Sequence, residues 1–255
     1  MTTKVDAAKV LEYYGGEPAV EYYARAAASV GLWASEEKVF VRAFADRRAH
    51  LLELGCGAGR IGLGLWELGY ERVLATDVSR KMVERARRLA KSMRCGVEFR
   101  VADALRLPFE ENEFDGAIFG FNGLMQIPRR ENRRRAMEEA HRVIRPGGRF
   151  VFTSHDREME KWRKFWNREK KLWRKGKQIP ELVEFGDRFE ATELGELFIH
   201  VPLRAEVAKD LRGAGFLVEL DCLRSQLANE SQRVREFSDE CRFWVCRKPG
   251  AEERS

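Results

Sequence analysis

The sequence predicts an α/β fold built on a doubly wound, mostly parallel sheet. Two observations carry the prediction. From residue 50 to residue 153, short apolar runs alternate with amphipathic stretches of helical period, which is the pattern of strand–helix units covered on both faces. The first run, His50-Leu51-Leu52-Glu53-Leu54, stops at a cluster of glycines, as a buried parallel strand does.

Each element follows in order. Residues 1–47 read as a helical cap, punctuated by Tyr13, Tyr14, Tyr22, Tyr23 and Trp33. The first strand, residues 50–54, leads through glycines into a helix over 61–68. A second strand spans 72–76 and a second helix 79–91, with Ser79 as its N-cap. Residues 97–101 alternate as a third strand and 115–119 form a fourth. A helix over 131–143 ends at Arg145-Pro146-Gly147-Gly148, and 149–153 is the fifth strand. Residues 155–200 break the alternation, with Trp162, Phe165, Trp166 and Trp173 at near-helical spacing among lysines and arginines. A helix over 201–214 and strands over 216–222 and 242–247 complete the core through residue 248, and 249–255 should fray.

Composition bounds the function. The chain has 255 residues, 44% hydrophobic and 35% charged, which suits one domain with a modest insertion. No stretch approaches the roughly 20 apolar residues that cross a bilayer. The amino-terminal residues lack an apolar signal core, so export is not expected and a cytoplasmic location is. The five cysteines are scattered without a C-x-x-C, which argues for reduced thiols and against a zinc site. The net charge of +6 is mild. The arginines at 129, 130, 133, 134 and 135, and the basic stretch 161–177, read as solvated helix faces, with a polyanion surface as the alternative.

The loop Gly55-Cys56-Gly57-Ala58-Gly59-Arg60-Ile61-Gly62 allows a tight turn and presents helix N–H groups to a ligand. Residues 57–62 satisfy G-x-G-x-x-G, and Asp77 follows at the spacing of about 20 residues that a dinucleotide site uses, so a nicotinamide enzyme competes here. Two acids separate the readings. Glu53, at the strand end before the glycines, repels a pyrophosphate but suits an ammonium group. Asp103 follows the third strand, so Asp77 can accept from ribose hydroxyls and Asp103 from an exocyclic amine. An adenosine carrying a sulfonium and an amino-acid tail fits three carboxylates better than a dinucleotide does.

Five motifs now occur in order: Leu52-Glu53-Leu54-Gly55-Cys56-Gly57-Ala58-Gly59, Ala75-Thr76-Asp77-Val78-Ser79, Ala102-Asp103-Ala104, Phe114-Asp115 and Arg145-Pro146-Gly147-Gly148-Arg149-Phe150. They resemble those of class I S-adenosylmethionine-dependent methyltransferases over residues 48–154. The chain as a whole is similar to uncharacterised bacterial small-molecule methyltransferases. The resemblance implies a Rossmann-like, seven-stranded sheet with a C-terminal antiparallel hairpin, and S-adenosyl-L-methionine as cofactor with S-adenosyl-L-homocysteine as product. It implies that Gly55, Cys56, Gly57 and Gly59 approach the methionine part, that Glu53 orients the loop or the amino group, and that Asp77 takes the ribose. Val78 and Met82 would flank the adenine, Asp103 and the Ala104 N–H would bind its amine, and Phe119 through Asn122 would line the methionine tail.

The acceptor side is read from the flanking segments. His155, at the end of the fifth strand, is the best general-base candidate, with hydrogen bonding in the wall as its alternative. His200 is a weaker second, and His50 and His141 read as non-site positions. Asn122 is a second candidate catalytic group, but residues 120–123 do not form the Pro-Pro-aromatic motif of nucleic-acid amino-methylating enzymes. Tyr14 is a third candidate catalytic group and, with Tyr13, is expected to fold over the cofactor; Arg60 is expected to meet a carboxylate or stand exposed. The insertion, residues 155–200, is expected to cover the acceptor, its tryptophans forming the apolar stripe of a lid helix. The resulting expectation is methyl transfer to a small-molecule nucleophile by in-line displacement, with no metal. RNA modification, NAD(P)-dependent oxidoreduction and non-catalytic S-adenosylmethionine binding stand as alternatives.

Overall fold

The computed structural model describes residues 3–250 and Glu253. Three helices open the chain: α1 (Ala7–Gly15), α2 (Glu17–Ser29) and α3 (Ala34–Ala43). Asp6 caps α1 by accepting the Lys9 N–H at 3.1 Å. The alternating core follows as β1 (Leu51–Leu54), α4 (Arg60–Glu67), β2 (Val73–Asp77), α5 (Arg80–Met93), β3 (Glu98–Val101), β4 (Phe114–Phe119), α6 (Arg130–Val143) and β5 (Ile144–Ser154). Ser79 caps α5 through the Met82 N–H, as its sequence position predicts.

The insertion contributes α7 (Arg163–Arg174) and a hairpin of β6 (Asp187–Thr192) and β7 (Gly195–His200). The chain then returns to the core through α8 (Arg204–Gly213), β8 (Leu217–Leu223), the short α9 (Arg224–Leu227) and α10 (Gln232–Phe237), and β9 (Arg242–Arg247). The main sheet runs in the order β3-β2-β1-β4-β5-β9-β8, with β9 antiparallel to both neighbours. This is the seven-stranded Rossmann-like arrangement with a C-terminal antiparallel hairpin.

Both faces of the sheet are buried, and the side chains divide between them with a period of two. Leu52, Leu74, Ala117, Phe119, Phe150 and Phe152 face one core, against Met137 and Ala140 of α6 and Leu211 of α8. Leu51, Val73, Ala75, Ile118 and Val151 face the other, against Phe40 of α3, Leu63 of α4 and Val83 of α5.

Four local features differ from the sequence reading. The helix read over 131–143 ends at Val143 as expected, but the strand starts sooner: β5 begins at Ile144, which pairs with Phe114, and a register shift carries the chain to the Gly116–Arg149 pairing. The hairpin β6–β7 went unseen because its turn, Glu193-Leu194, carries none of the usual turn residues; Gly195, with φ of 118°, takes up the conformational demand one residue later. The arginine cluster is not a bare solvated face. Arg130 holds Asp210 at 2.8 Å, and Arg133 is buried against Glu184 at 2.8 Å. Most of the tail expected to fray, residues 251, 252, 254 and 255, lies outside the described residues, while Glu253 pairs with Arg247 at 2.6 Å.

The tryptophans of the insertion behave as a core stripe. Trp166 is buried, Trp162 and Phe165 pack on the same core, and Trp173 joins Leu182 and Phe198 in a separate cluster. All five cysteines are free thiols. Among the described residues, no helix is long and apolar enough to cross a membrane.

Candidate active site

The strand order reverses at β1: the chain moves outward to β2 and β3, then returns to β4 on the other side. Loops leaving β1 and β4 therefore part at the carboxyl end of the sheet, and a crevice opens between them. A cleft of about 290 Å³ lies there. Its walls come from residues 55–58 after β1, Asp77 and Val78 at the end of β2, residues 102–105 after β3, and residues 119–121 at the end of β4. Leu11 and Tyr14 of α1, Tyr23 of α2, Gln126 and Phe237 of α10 complete it.

The three predicted acids meet in this one cleft. Glu53 is 2% exposed, and its Oε2 has no hydrogen-bond partner. Burial pushes its pKa up to about 8, with the Arg60 charge opposing. It can lie against the first turn of α4 only because residue 62 is glycine: a Cβ there would stand 2.9 Å from Oε2. Asp77 accepts from the Gly57 N–H and the Ser79 N–H, each at 2.8 Å. Each of its oxygens keeps a lone pair for a further donor, and burial raises its pKa. Asp103 is exposed and accepts the Leu105 N–H at 2.9 Å, so it closes a turn and lines the cleft at once.

Gly55, Cys56 and Gly57 line the cleft as expected. Gly57, with φ of 52°, has no atom within 4 Å of where a Cβ would stand, so its backbone is open to a ligand. Gly59 does not line the cleft. Its φ of 94° and the Phe99 ring, 2.9 Å from its hypothetical Cβ, make it a packing glycine that lets α4 approach the sheet. The Cys56 thiol is buried and held well above its ordinary pKa, so it serves as wall and not as a nucleophile. Val78 (52% exposed), Met82 (1% exposed), Ala104 and Phe119 all line the cleft.

Of the remaining candidates, Tyr14 and Arg60 line the cleft and the others do not. Asn122 and His155 are outside this cleft and line a neighbouring chamber together. The Tyr14 hydroxyl faces the Gln126 Oε1 at 2.6 Å, and burial raises its pKa. It is a clamp joining α1 to the loop after β4, and its proton is not available at neutral pH. Tyr13 bonds to Thr192 of the hairpin at 3.1 Å. Arg60 does not stand exposed: it lines the cleft, is 8% exposed and chelates Glu36 at 2.6 and 2.7 Å. His200 is buried with Nδ1 2.8 Å from Asp187. Glu184, Asp187 and His200 are close enough to share a cation, but Asp187 is already engaged by His200 and two backbone N–H groups, and Glu184 by Arg133. Sequence reasoning missed Tyr23, Gln126 and Phe237 as cleft residues. Aromatic punctuation marked Tyr23, but no motif marks the other two.

Residues 51–148 match the methyltransferase domain family. Over 127 residues the chain is 30% identical to a ubiquinone/menaquinone biosynthesis C-methyltransferase of Rickettsia felis, covering 47% of this chain and 48% of that one. The chain thus spans about half the length of the curated relatives it matches. Among solved structures, it resembles an S-adenosylmethionine-dependent methyltransferase of Methanosarcina mazei with a TM-score of 0.66 and 20% identity, covering 83% of this chain and 97% of that one. It also resembles a protein of Pyrococcus horikoshii with a TM-score of 0.63 and 22% identity, covering 93% and 98%. These structural likenesses establish the fold.

Proposed function

We propose that this chain, whose residues 51–148 match the methyltransferase domain family, is a class I S-adenosylmethionine-dependent methyltransferase that binds its cofactor in the cleft and methylates a small-molecule nucleophile. One observation carries the reading: three carboxylates from three successive strands line a single cleft, and the deepest of them has an oxygen with no partner.

The residues fit the cofactor. An ammonium group in the cleft would offset the charge of the Glu53 carboxylate, which a pyrophosphate would leave worse off. Ribose hydroxyls find acceptors on Asp77, and an adenine amine finds one on Asp103 beside Ala104. The apolar Val78 and Met82 suit the purine faces. When bound, the cofactor supplies a methyl group already activated on a sulfonium. The protein's part is to hold, orient and exclude water. Gly57 presents open backbone, Phe119 and Phe121 wall the cleft, and the Tyr14–Gln126 clamp ties the amino-terminal helix across to the loop after β4.

A quinone-type acceptor, as in the names of the curated relatives, is the second reading. What favours it is the 30% identity across 127 residues; the domain match ends at residue 148, before the insertion. Methyl release from labelled S-adenosylmethionine, tested across amines, phenols, quinols, thiols, carboxylates, halides and transfer RNA, checks the proposal. Turnover on a small molecule is expected. Transfer to transfer RNA alone would refute the small-molecule acceptor.

A further inference from the structure

A second chamber, about 440 Å³, adjoins the cofactor cleft and shares four wall residues with it: Tyr23, Phe121, Gln126 and Phe237. Much of it is built outside the matched domain, from α2, the β6–β7 hairpin and α10. Its aromatic wall is continuous. Phe237 stacks on Phe121 with ring centroids 5.0 Å apart and on Tyr22 at 6.0 Å, and Tyr23 meets Phe121 edge-on at 6.2 Å. Four carboxylates line it, Glu190 and Glu193 on the hairpin, Glu236 of α10 and Asp239 just after it, with one cation, Arg235. Lys161 holds Asp239 at 2.8 Å and Arg188 stands 3.9 Å from Glu190, so Glu193 and Glu236 carry the excess negative charge. Aromatic faces with an excess of negative charge attract cations.

The polar floor points the same way. His155 Nδ1 lies 3.1 Å from the Glu240 carbonyl oxygen, which can only accept, so Nδ1 carries the proton. Burial keeps the ring neutral. The Nε2 lone pair, 3.3 Å from Asn122 Nδ2, then accepts from that amide. Asn122 is 4% exposed, and its Oδ1 is left with no partner. Asn122 lines the chamber with its carbonyl side of the amide needing a donor.

We infer that this chamber is the acceptor site and that it takes a small amine, bound as its ammonium form with its charge toward Glu193 and Glu236 and an N–H toward the Asn122 Oδ1. The ammonium gives up one proton to solvent, and the freed nitrogen lone pair then takes the methyl group as the carbon–sulfur bond breaks and leaves the thioether. A carboxylate acceptor has no donor for Asn122 and meets like charge. A quinol has a donor but gains nothing from the excess carboxylates. This assignment rests on the methyltransferase reading for the role of the amine, and on the chamber alone for its binding.

Calorimetry on the full chain tests it with phenethylamine, hydroquinone and benzoate as probes, and separately with S-adenosylhomocysteine. Phenethylamine should bind at least tenfold more tightly than either other probe. The paired substitution Glu193→Gln with Glu236→Gln should weaken phenethylamine about tenfold and leave adenosylhomocysteine affinity unchanged. Arg235→Gln should tighten phenethylamine severalfold, a gain that misfolding cannot produce. Equal or tighter binding of hydroquinone or benzoate, or an amine affinity unmoved by these substitutions, would overturn the inference. Adenosylhomocysteine binding without amine binding overturns the chamber's assignment alone. Amine binding without adenosylhomocysteine binding overturns the methyltransferase reading, and with it the amine's role as acceptor.

Discussion

Glu53 and Arg60 show how differently two buried charges can be used. Arg60 is fully answered: Glu36 takes both guanidinium nitrogens, and Glu36 also accepts the Trp33 N–H at 3.0 Å. Removing one partner strands the other, so Glu36→Ala should lower stability by about 3–5 kcal/mol, read as a shift in the denaturant midpoint. Glu53 has no ion-pair partner of its own, and the Arg60 charge and the Gly62 backbone only partly offset its burial. Its folded pKa of about 8 lies above its ordinary 4.5, so the folded state holds the proton more tightly than the unfolded chain does. The group therefore costs nothing below about pH 4.5 and takes stability away as pH rises toward 8. Glu53→Gln should flatten that slope in a pH series of thermal melts. A bound ammonium favours the carboxylate, so adenosylhomocysteine should release a proton on binding at pH 7. Calorimetry in two buffers of different ionisation enthalpy reads this release, and Glu53→Gln should abolish it. The sequence exposed Glu53, Asp77 and Asp103 because each ends a strand. It could not reveal that Arg60 faces inward, because Glu36 lies 24 positions earlier and only the fold joins them.

At the scale of elements, legibility followed local chemistry. β1, β2 and β9 were readable as apolar runs, and α5 from its Ser79 cap, since these signals are written in neighbouring residues. The β6–β7 hairpin lacked a turn signature, and α10 carries cleft-lining Phe237 in a segment with no motif. The insertion was read as a lid helix, and α7 does direct its aromatic stripe inward. Trp166→Ala should therefore cost about 3–5 kcal/mol, as core tryptophan truncations do, measured by urea denaturation. Between Lys161 and Lys177 stand nine lysines and arginines against one glutamate. The tryptophans that could stack on bases are turned toward the core, which leaves this face to charge alone. Transfer RNA should then bind only at low salt, and its affinity should fall steeply between 50 and 200 mM salt, in a filter-binding series.

The molecule as a whole divides into a half that its motifs describe and a half that they do not. The glycine loop and acids sit at the reversal of strand order, where backbone geometry dictates residue type, so motif and site coincide. The neighbouring chamber is assembled from helices and a hairpin distant in sequence, where charge and aromatic content can vary without disturbing the sheet. His155 and Asn122 were picked out from strand ends, and the fold places them together, but in that chamber and not in the cofactor cleft. Acceptor chemistry is thus a property of the assembled fold.

The central claim is that one cleft gathers Glu53, Asp77 and Asp103 around an adenosyl amino acid. Titration calorimetry of the wild-type chain and of Asp77→Ala, with S-adenosylhomocysteine and with NAD as ligands, tests it most directly. The account predicts a saturable heat with adenosylhomocysteine, an affinity lowered at least tenfold by Asp77→Ala, and no comparable heat with NAD. Tight NAD binding without any adenosylhomocysteine heat would contradict it.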